Sequence, residues 1–199
     1  MYPFFETIRY CKGAAENLFF HQQRIDRTFK LHSVDALLQL AAIDFNYEAS
    51  MQNAILPIVY KCKISYNITG SYMVLFEPYS IRKIQTFTFV EIGSKTYDSK
   101  YTDRTWINLA LNEVQTDEVI FTKNNLITDA SYANVAFFNG TNWLTPAQPL
   151  LAGTRRAMLL KEKYIIERAI YTQQLSQYHL VKFINAMMHW EECPCIQLH

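Results

Sequence analysis

Cysteine is scarce in this sequence, and its scarcity limits the kind of protein that the chain can be. The 199 residues include four cysteines, of which only Cys193 and Cys195 stand close together. A small secreted protein held by disulfide bonds needs more of them, so free thiols in a reducing compartment are expected. The Cys193-Pro194-Cys195 step lacks the second pair of ligands that a structural metal site requires, so no metal site is predicted.

An excess of charge of one sign and long apolar runs are missing as well. The 19 basic and 18 acidic residues leave a formal net charge of +1, which gives no electrostatic reason to expect nucleic acid or a membrane surface as partner. No apolar run approaches membrane-spanning length, and Met1–Glu6 lacks the basic flank and apolar core of a signal peptide. Because 50% of the residues are hydrophobic, we expect a globular cytoplasmic protein with a substantial core.

The first part of the chain mixes strand-like and helix-like patterns. Alternating or β-branched stretches that favour strands cover residues 3–10, 61–67 and 72–77. Apolar residues at helical spacing predict one interrupted helix or two consecutive helices over residues 25–41, and a short helix over residues 53–60. These patterns predict a small α+β domain over residues 1–83. The crossing to a second domain is placed at Pro78-Tyr79-Ser80, the one compact Pro- and Ser-bearing interruption near the middle of the chain.

Residues 84–199 are predicted to form a larger second domain. Asp103 can cap a helix whose apolar face begins at Trp106. A second helix is predicted over residues 158–166, after Gly153. Strand-like stretches cover residues 83–90, 117–122, 126–128, 134–138, 169–172 and 180–185. The chain is therefore expected to be a two-domain α+β protein.

The stretch from Asp129 to Arg156 carries the most specific pattern. An acidic residue, Asp129, is followed by Ser131 and Asn134, then by an aromatic strand, a Thr145-Pro146 step and a Leu151-Ala152-Gly153 turn that opens a basic helix. This pattern resembles the signature of the class IV aminotransferase family, the pyridoxal-phosphate (PLP) enzymes that include branched-chain and D-amino-acid aminotransferases and aminodeoxychorismate lyase. The acidic position is usually Glu in that family; Ala136, Trp143 and Thr154 also depart from the pattern.

The resemblance implies PLP as cofactor and assigns roles to particular residues. Lys100, in a polar loop just before a helix, matches the lysine that forms a Schiff base with PLP and then moves the substrate's α-proton. Lys95 is the competing candidate. Asp129 matches the carboxylate that keeps the pyridine nitrogen protonated, because a cationic ring withdraws electrons from the substrate carbanion. The same signature contributes Ser131 and Asn134 to cofactor binding.

A phosphate cradle is implied by two further elements. Backbone N–H groups and a hydroxyl of Gly153-Thr154-Arg155 lie at a helix start, where anions are favoured. Arg24 belongs to the His21-Gln22-Gln23-Arg24 group, which resembles the family's H-x-x-R element, whose arginine reaches the cofactor phosphate. The opening strand is similar to the family's as well, through Phe5-Glu6-Thr7 and Arg9. Candidates for binding a substrate carboxylate are Arg9, Lys63, Tyr66 and Arg155.

The resemblance also implies a fold, a reaction class and an assembly. The expected fold is the two-domain D-amino-acid aminotransferase-like fold of PLP enzymes, with a trimmed amino-terminal domain. The expected reaction is transamination of an amino acid or a similar amine. One alternative is cleavage of 4-amino-4-deoxychorismate to 4-aminobenzoate and pyruvate, and another is a degenerate relative that binds PLP without turnover. A homodimer is expected.

Overall fold

Helices lie between runs of two or more strands, as expected of an α+β protein, in a computed structural model that describes residues 2–54 and 56–198. The chain divides into two compact units. Unit 1 comprises Met1–Ile81 and Ser99–Asp103, and unit 2 comprises Arg82–Asp98 and Arg104–His199. The short piece Ser99–Asp103 thus packs with unit 1, although the sequence prediction places it in the second domain. None of the described helices has the length and apolar character needed to cross a membrane.

Unit 1 is built on an antiparallel sheet of four strands in the order β2-β1-β3-β4. The strands are β1 (Phe4–Cys11), β2 (Ala14–Ala15), β3 (Tyr60–Tyr66) and β4 (Tyr72–Pro78). Alternation along β1 sends Phe4, Ile8 and Tyr10 into the core and leaves Phe5 on the other face. The β1–β2 turn needs Gly13, whose φ of 78° is a left-handed conformation that other residues rarely adopt.

Two helices belong to unit 1, α1 (Leu18–Leu31) and α2 (Phe45–Met51). One interrupted helix or two consecutive helices were predicted for residues 25–41, but the α-helix ends at Leu31. The Gln22 side chain binds the backbone of Leu38 and Leu40 at 3.0 and 2.8 Å and keeps that segment out of the helix. The helix predicted for residues 53–60 is also wrong. It lies earlier, as α2, because the Asp44 carboxylate accepts the N–H groups of its first turn and Asn53 has a left-handed φ of 55°.

Lys100 is attached to the first strand of unit 1. The N–H of Phe5 donates to the carbonyl of Lys100 at 3.0 Å, and the N–H of Thr102 donates to the carbonyl of Pro3 at 2.8 Å. Phe4 and Tyr101 form an antiparallel bridge between these hydrogen bonds. The segment therefore pairs with the amino-terminal end of β1, whereas β2 pairs with its carboxyl-terminal end.

Unit 2 contains a mixed sheet of eight strands. Six strands follow the order β10-β9-β8-β7-β6-β5, β11 pairs with β8, and β12 pairs with β11. They are β5 (Phe87–Glu91), β6 (Glu118–Lys123), β7 (Leu126–Ala130), β8 (Asn134–Phe138), β9 (Trp143–Pro146), β10 (Ile166–Arg168), β11 (Leu180–Ile184) and β12 (Cys195–Gln197). Buried Val135, Phe137, Val181 and Phe183 place the core on the central pair, β8 and β11.

Two helices cross unit 2, α3 (Thr105–Asn112) and α4 (Thr154–Lys161). Helix α3 connects the parallel strands β5 and β6, and the Trp106 ring packs 5.1 Å from that of Phe121. Its N-cap is Arg104 and not Asp103 as predicted. Helix α4 begins directly after Gly153, at the end of the loop that follows β9.

Candidate functional site

In unit 1, Lys100 is half-buried against an aromatic ring. Its Nζ lies 4.6 Å from the centroid of the Phe5 ring, and Lys63 Nζ lies 5.4 Å from the same centroid. Both side chains therefore belong to the sheet face that carries Phe5. Lys95, by contrast, is exposed in unit 2, with its Nζ 6.0 Å from the Trp106 ring. The partly desolvated position of Lys100 suits a reactive amine better than the exposed position of Lys95, and the choice of Lys100 stays a prediction.

A buried ionic cluster surrounds Arg24 in the same unit. Glu6 Oε1 and Oε2 accept from Arg24 Nε and Nη2 at 2.8 and 2.5 Å, and Nδ1 of His21 lies 2.5 Å from Oε2. Burial alone raises the pKa of Glu6, but the Arg24 charge and the hydrogen bonds from His21 and Arg24 hold this pKa at about 2. Glu6 is therefore a permanent anion that fixes one edge of the Arg24 guanidinium.

His21 contributes to this cluster as an uncharged side chain. Burial lowers its pKa, and the nearby charges of Arg24 and Lys100 lower it further, against the hydrogen bond to Glu6. Because a carboxylate can only accept, Nδ1 carries the hydrogen. The sequence analysis did not assign roles to Glu6 and His21. A signal was present, since Glu6 is a charged residue on the apolar face of β1 and His21 opens the H-x-x-R group.

In unit 2, the Asp129 carboxylate is buried, with 5% of the residue exposed. Oδ1 accepts from Asn134 Nδ2 at 2.7 Å, and Oδ2 accepts from the N–H of Leu151 at 2.8 Å. Burial raises the pKa of Asp129 to about 6, although the hydrogen bonds from Leu151 and Asn134 and the Arg156 charge oppose the rise. Because a carboxylate has about four acceptor sites, the group can bind one more N–H donor besides those of Asn134, Leu150 and Leu151.

The Ser131 peptide is held from both sides. Its N–H donates to the buried carboxylate of Glu118 at 3.0 Å, and its carbonyl accepts from Arg104 Nη2. Arg82 Nη1 approaches the other oxygen of Glu118 at 3.3 Å. The turn between Asp129 and Asn134 is therefore fixed by two residues, Arg104 and Glu118, to which the sequence analysis gave no part in the site.

The predicted phosphate segment forms the start of α4. Gly153 is the N-cap and has no side chain to cap the first turn, whose N–H groups are natural anion donors. Thr154 and Arg155 are buried there. Arg156 turns away, because its Nη2 donates to the carbonyl of Pro146 at 2.8 Å and to Glu167 Oε1 at 2.7 Å.

The structure thus groups the predicted residues within each unit. In unit 1, Arg24 and Lys100 both act electrostatically on His21. In unit 2, Asp129, Asn134 and Gly153 are in direct or shared contact. Taken separately, the half-buried amine and the arginine of unit 1 suit the aldehyde and the phosphate of PLP, and the buried carboxylate and the helix start of unit 2 suit its ring nitrogen and its phosphate. Among residues 2–54 and 56–198, no group of His, Cys, Asp or Glu could hold a metal ion.

Comparison with known proteins gives consistent matches. The family model "Amino-transferase class IV" matches residues 88–192. An uncharacterised protein of Haemophilus influenzae is 34% identical over 197 residues, covering 94% of this chain and 98% of its own. A crystal structure from Haemophilus somnus 129pt, described provisionally as a 4-amino-4-deoxychorismate lyase, is 34% identical with a TM-score of 0.83 and covers 94% of this chain and 97% of its own.

More distant structures agree in fold. The PLP-bound form of a hypothetical aminotransferase from Mycobacterium tuberculosis is 14% identical with a TM-score of 0.77. The match covers 98% of this chain and 79% of the other. The predicted family and the D-amino-acid aminotransferase-like fold are confirmed by these likenesses.

Proposed function

Because the chain belongs to the class IV aminotransferase family, we propose that it is a PLP-dependent enzyme that cleaves a bond at the amine-bearing carbon of its substrate. The observation that carries the proposal is the buried Asp129 carboxylate, whose pKa of about 6 and remaining acceptor site suit it to hold a protonated ring nitrogen. When bound, PLP supplies an electron sink for the carbanion at that carbon.

Asp129 acts by stabilising positive charge on the ring. Its oxygens are already oriented by Asn134 and the Leu151 peptide, so little reorganisation is needed to accept a further N–H. A neutral group at this position would let the ring lose its proton and weaken the electron withdrawal. Asp129 is shorter than the usual Glu by one methylene, so its carboxylate reaches less far from the backbone of β7.

The phosphate is assigned to the start of α4 in unit 2. The N–H groups of Thr154 and Arg155 and the Thr154 hydroxyl offer neutral donors at the positive end of the helix dipole. In unit 1, Arg24 is the charged candidate for phosphate binding that the H-x-x-R resemblance implies, and Glu6 fixes its guanidinium at 2.8 and 2.5 Å. Lys100 supplies the amine that bonds to the cofactor and later carries the proton of the substrate's amine-bearing carbon.

Lys63 is the residue that we assign to a substrate carboxylate. Of the four candidates, Arg9 pairs with Glu16 at 3.1 Å, and the fully buried Tyr66 points into the core of unit 1. Arg155 belongs to the proposed phosphate segment. Lys63 has no ion pair within the described part of the chain, and it shares the Phe5 ring with Lys100. Lys61 is a matched control, because Glu77 neutralises it at 2.6 Å.

The reaction that we favour is cleavage of 4-amino-4-deoxychorismate to 4-aminobenzoate and pyruvate. The full-length likeness to the Haemophilus somnus protein supports it. Transamination is the second candidate, because it needs the same lysine, carboxylate and phosphate donors and differs in the substrate. We further propose a homodimer, since the edge strand β4 exposes Met73 and Leu75; sedimentation of the purified chain tests it.

A paired assay decides between the two reactions. Purified protein with PLP is given 4-amino-4-deoxychorismate in one arm and a panel of amino acids with 2-oxoglutarate in the other. We expect 4-aminobenzoate and pyruvate in equal amounts in the first arm, and their loss in Lys100→Ala but not in Lys95→Ala. Turnover in the second arm alone would make the protein a transaminase. No turnover in either arm, with PLP bound, would indicate a non-catalytic relative.

The same assay tests Lys63 against its control. Lys63→Met is expected to raise KM about tenfold or more by removing a charged partner of the substrate, with a smaller change in kcat. Lys61→Met should leave both constants within about twofold, because Lys61 is already neutralised by Glu77. Equal effects of the two substitutions would contradict the assignment of Lys63.

A further inference from the structure

Both hydrogens of the Asn134 side-chain amide are donated to acceptors within the protein. Its Nδ2 donates to Asp129 Oδ1 at 2.7 Å and to the carbonyl of Leu151 at 2.9 Å. The N–H of Leu151 returns to Asp129 Oδ2 at 2.8 Å, which closes a ring of three hydrogen bonds. The reverse orientation of the amide would set its oxygen against two other acceptors, so the chemistry fixes which end faces Asp129.

The other end of the amide lies against Gly153. A Cβ added to Gly153 would lie 1.8 Å from Asn134 Oδ1 and 3.0 Å from Asn134 Cγ. The backbone angles of Gly153, φ −68° and ψ 142°, are open to any residue. Glycine is therefore required here by space and not by conformation. Gly153 is also the N-cap of α4, and its carbonyl accepts the N–H of Ala157 at 2.9 Å.

We infer that Asn134 is a positioning residue whose amide locks the Asp129 carboxylate to the start of α4. The set Asp129, Asn134, Leu151 and Gly153 is called the Asn134 lock. This inference rests on the proposed function, because it gives the lock the task of holding the ring-nitrogen ligand and the phosphate-binding turn at a fixed separation. Asn134 acts through these neighbours, since both hydrogens of Nδ2 already have acceptors in the protein.

The test is a double-mutant cycle on the full chain, with PLP affinity read from Trp fluorescence or equilibrium dialysis. Asn134→Ala is expected to weaken PLP binding about tenfold, through loss of a buried hydrogen bond to a charged group. Gly153→Ala is expected to weaken it about tenfold or more, because the new methyl group overlaps the amide. In the Asn134→Ala background the new methyl group has room. Adding Gly153→Ala to that variant should therefore lower its PLP affinity by less than about threefold. Losses that multiply instead would overturn the inference.

A second readout separates positioning from simple folding. The carboxyl resonance of Asp129 in the chain without PLP should titrate at a higher pH in Asn134→Ala, because a donor to the charged form is removed. Asn139→Ala is the matched control. Its Oδ1 accepts two turn N–H groups, at 3.0 and 2.8 Å, away from the lock. It should change neither the titration of Asp129 nor the PLP affinity. An unchanged Asp129 titration in Asn134→Ala would overturn the inference.

The two proposals fail in different ways. If the unmodified chain bound no PLP, the proposed function would fall. The coupling between positions 134 and 153 would still be measurable in the denaturant unfolding of the chain without PLP, together with the Asp129 titration. If PLP bound and the cycle showed no coupling, the lock would fall and the proposed function would stand.

Discussion

The two units each bury a carboxylate at their predicted functional residues, and the surroundings of these carboxylates differ in one respect. Glu6 in unit 1 faces a full positive charge, with both oxygens on the Arg24 guanidinium, and its pKa falls to about 2. Asp129 in unit 2 accepts hydrogen bonds from neutral donors, among them the Asn134 amide and the Leu151 N–H. The Arg156 charge also acts on it, but burial prevails and its pKa rises to about 6. Burial by itself acts to raise the pKa of both carboxylates. The charge of the hydrogen-bonding partner decides whether the net pKa falls, as in Glu6, or rises, as in Asp129.

The difference indicates two kinds of work. A carboxylate that stays charged at every working pH can fix the orientation of an arginine but cannot exchange a proton. A carboxylate with a pKa near neutrality can share a proton with a ring nitrogen, as the proposed function requires. In unit 1, Glu6 therefore fixes the charged Arg24 side chain. In unit 2, Asp129 is suited to share a proton with a ring nitrogen.

The largest expected effect comes from removing the charge of Glu6. Glu6→Gln keeps the shape but leaves Arg24 buried without a counter-ion, so the free energy of unfolding should fall by about 3–5 kcal/mol. Urea unfolding of the full chain measures it. Glu77→Gln is the control, because the Lys61–Glu77 pair is exposed and should contribute less than about 1 kcal/mol. Equal losses of unfolding free energy in the two variants would contradict the conclusion that Glu6 is needed as a buried counter-ion of Arg24.

The next effect concerns the proton held by Asp129. Asp129→Asn is expected to lower the rate of product formation about a hundredfold, since a neutral side chain cannot stabilise a charged ring. Unfolding free energy should fall only about 1–2 kcal/mol, because the amide oxygen that remains still accepts hydrogen bonds and only those to the replaced oxygen are lost. Asp129→Glu, which restores the family's usual residue, should retain more activity than Asp129→Asn. A fully active Asp129→Asn variant would show that the carboxylate has no such role.

A smaller effect should appear in the pH dependence of stability. The raised pKa of Asp129 means that the folded chain binds the proton more tightly than the unfolded chain. Its contribution is therefore present at low pH and lost as pH rises through about 6. Wild type should gain about 1 kcal/mol relative to Asp129→Asn between pH 7 and pH 5. Glu6 has the opposite sign, since its contribution is lost as pH falls from about 4.5 towards about 2. Parallel curves for wild type and Asp129→Asn would refute the raised pKa.

The smallest effect is expected at a third buried carboxylate, Glu118. It accepts the N–H groups of Val119 and Ser131 at 2.9 and 3.0 Å, and its charged partner Arg82 is largely exposed. Arg82→Ala should therefore lower the unfolding free energy by less than about 1 kcal/mol. A loss as large as that of Glu6→Gln would mean that backbone donors do not satisfy a buried carboxylate as assumed for Asp129.

The local sequence pattern was sufficient to predict those strands whose side chains follow a single periodicity. The strands β1, β3 and β8 carry alternating or continuous apolar residues and lie where the sequence indicated. The predicted helices beyond Leu31 and after Asn53 failed because side-chain to backbone bonds from Gln22 and a left-handed Asn53 outweighed apolar spacing. Such bonds connect residues far apart in sequence, and periodicity does not record them.

The part of the candidate site that follows the family signature could be predicted from the sequence. Asp129, Asn134 and Gly153 were predicted from their resemblance to the family signature, and the structure adds that Asn134 contacts both of the others. Glu6 and His21 were not assigned, because a charged residue on an apolar strand face has meaning only once Arg24 is seen against it. The attachment of Lys100 to β1 spans almost half of the chain and has no local signal.

The central claim is that Lys100 is the amine that binds PLP, and chemical trapping tests it most directly. The full chain is incubated with PLP, reduced with borohydride, digested and mapped by mass spectrometry. We predict one pyridoxyl group per chain, on Lys100, and its absence in Lys100→Ala. Label on Lys95, or label spread over several exposed lysines with Lys100 unmodified, would contradict the account.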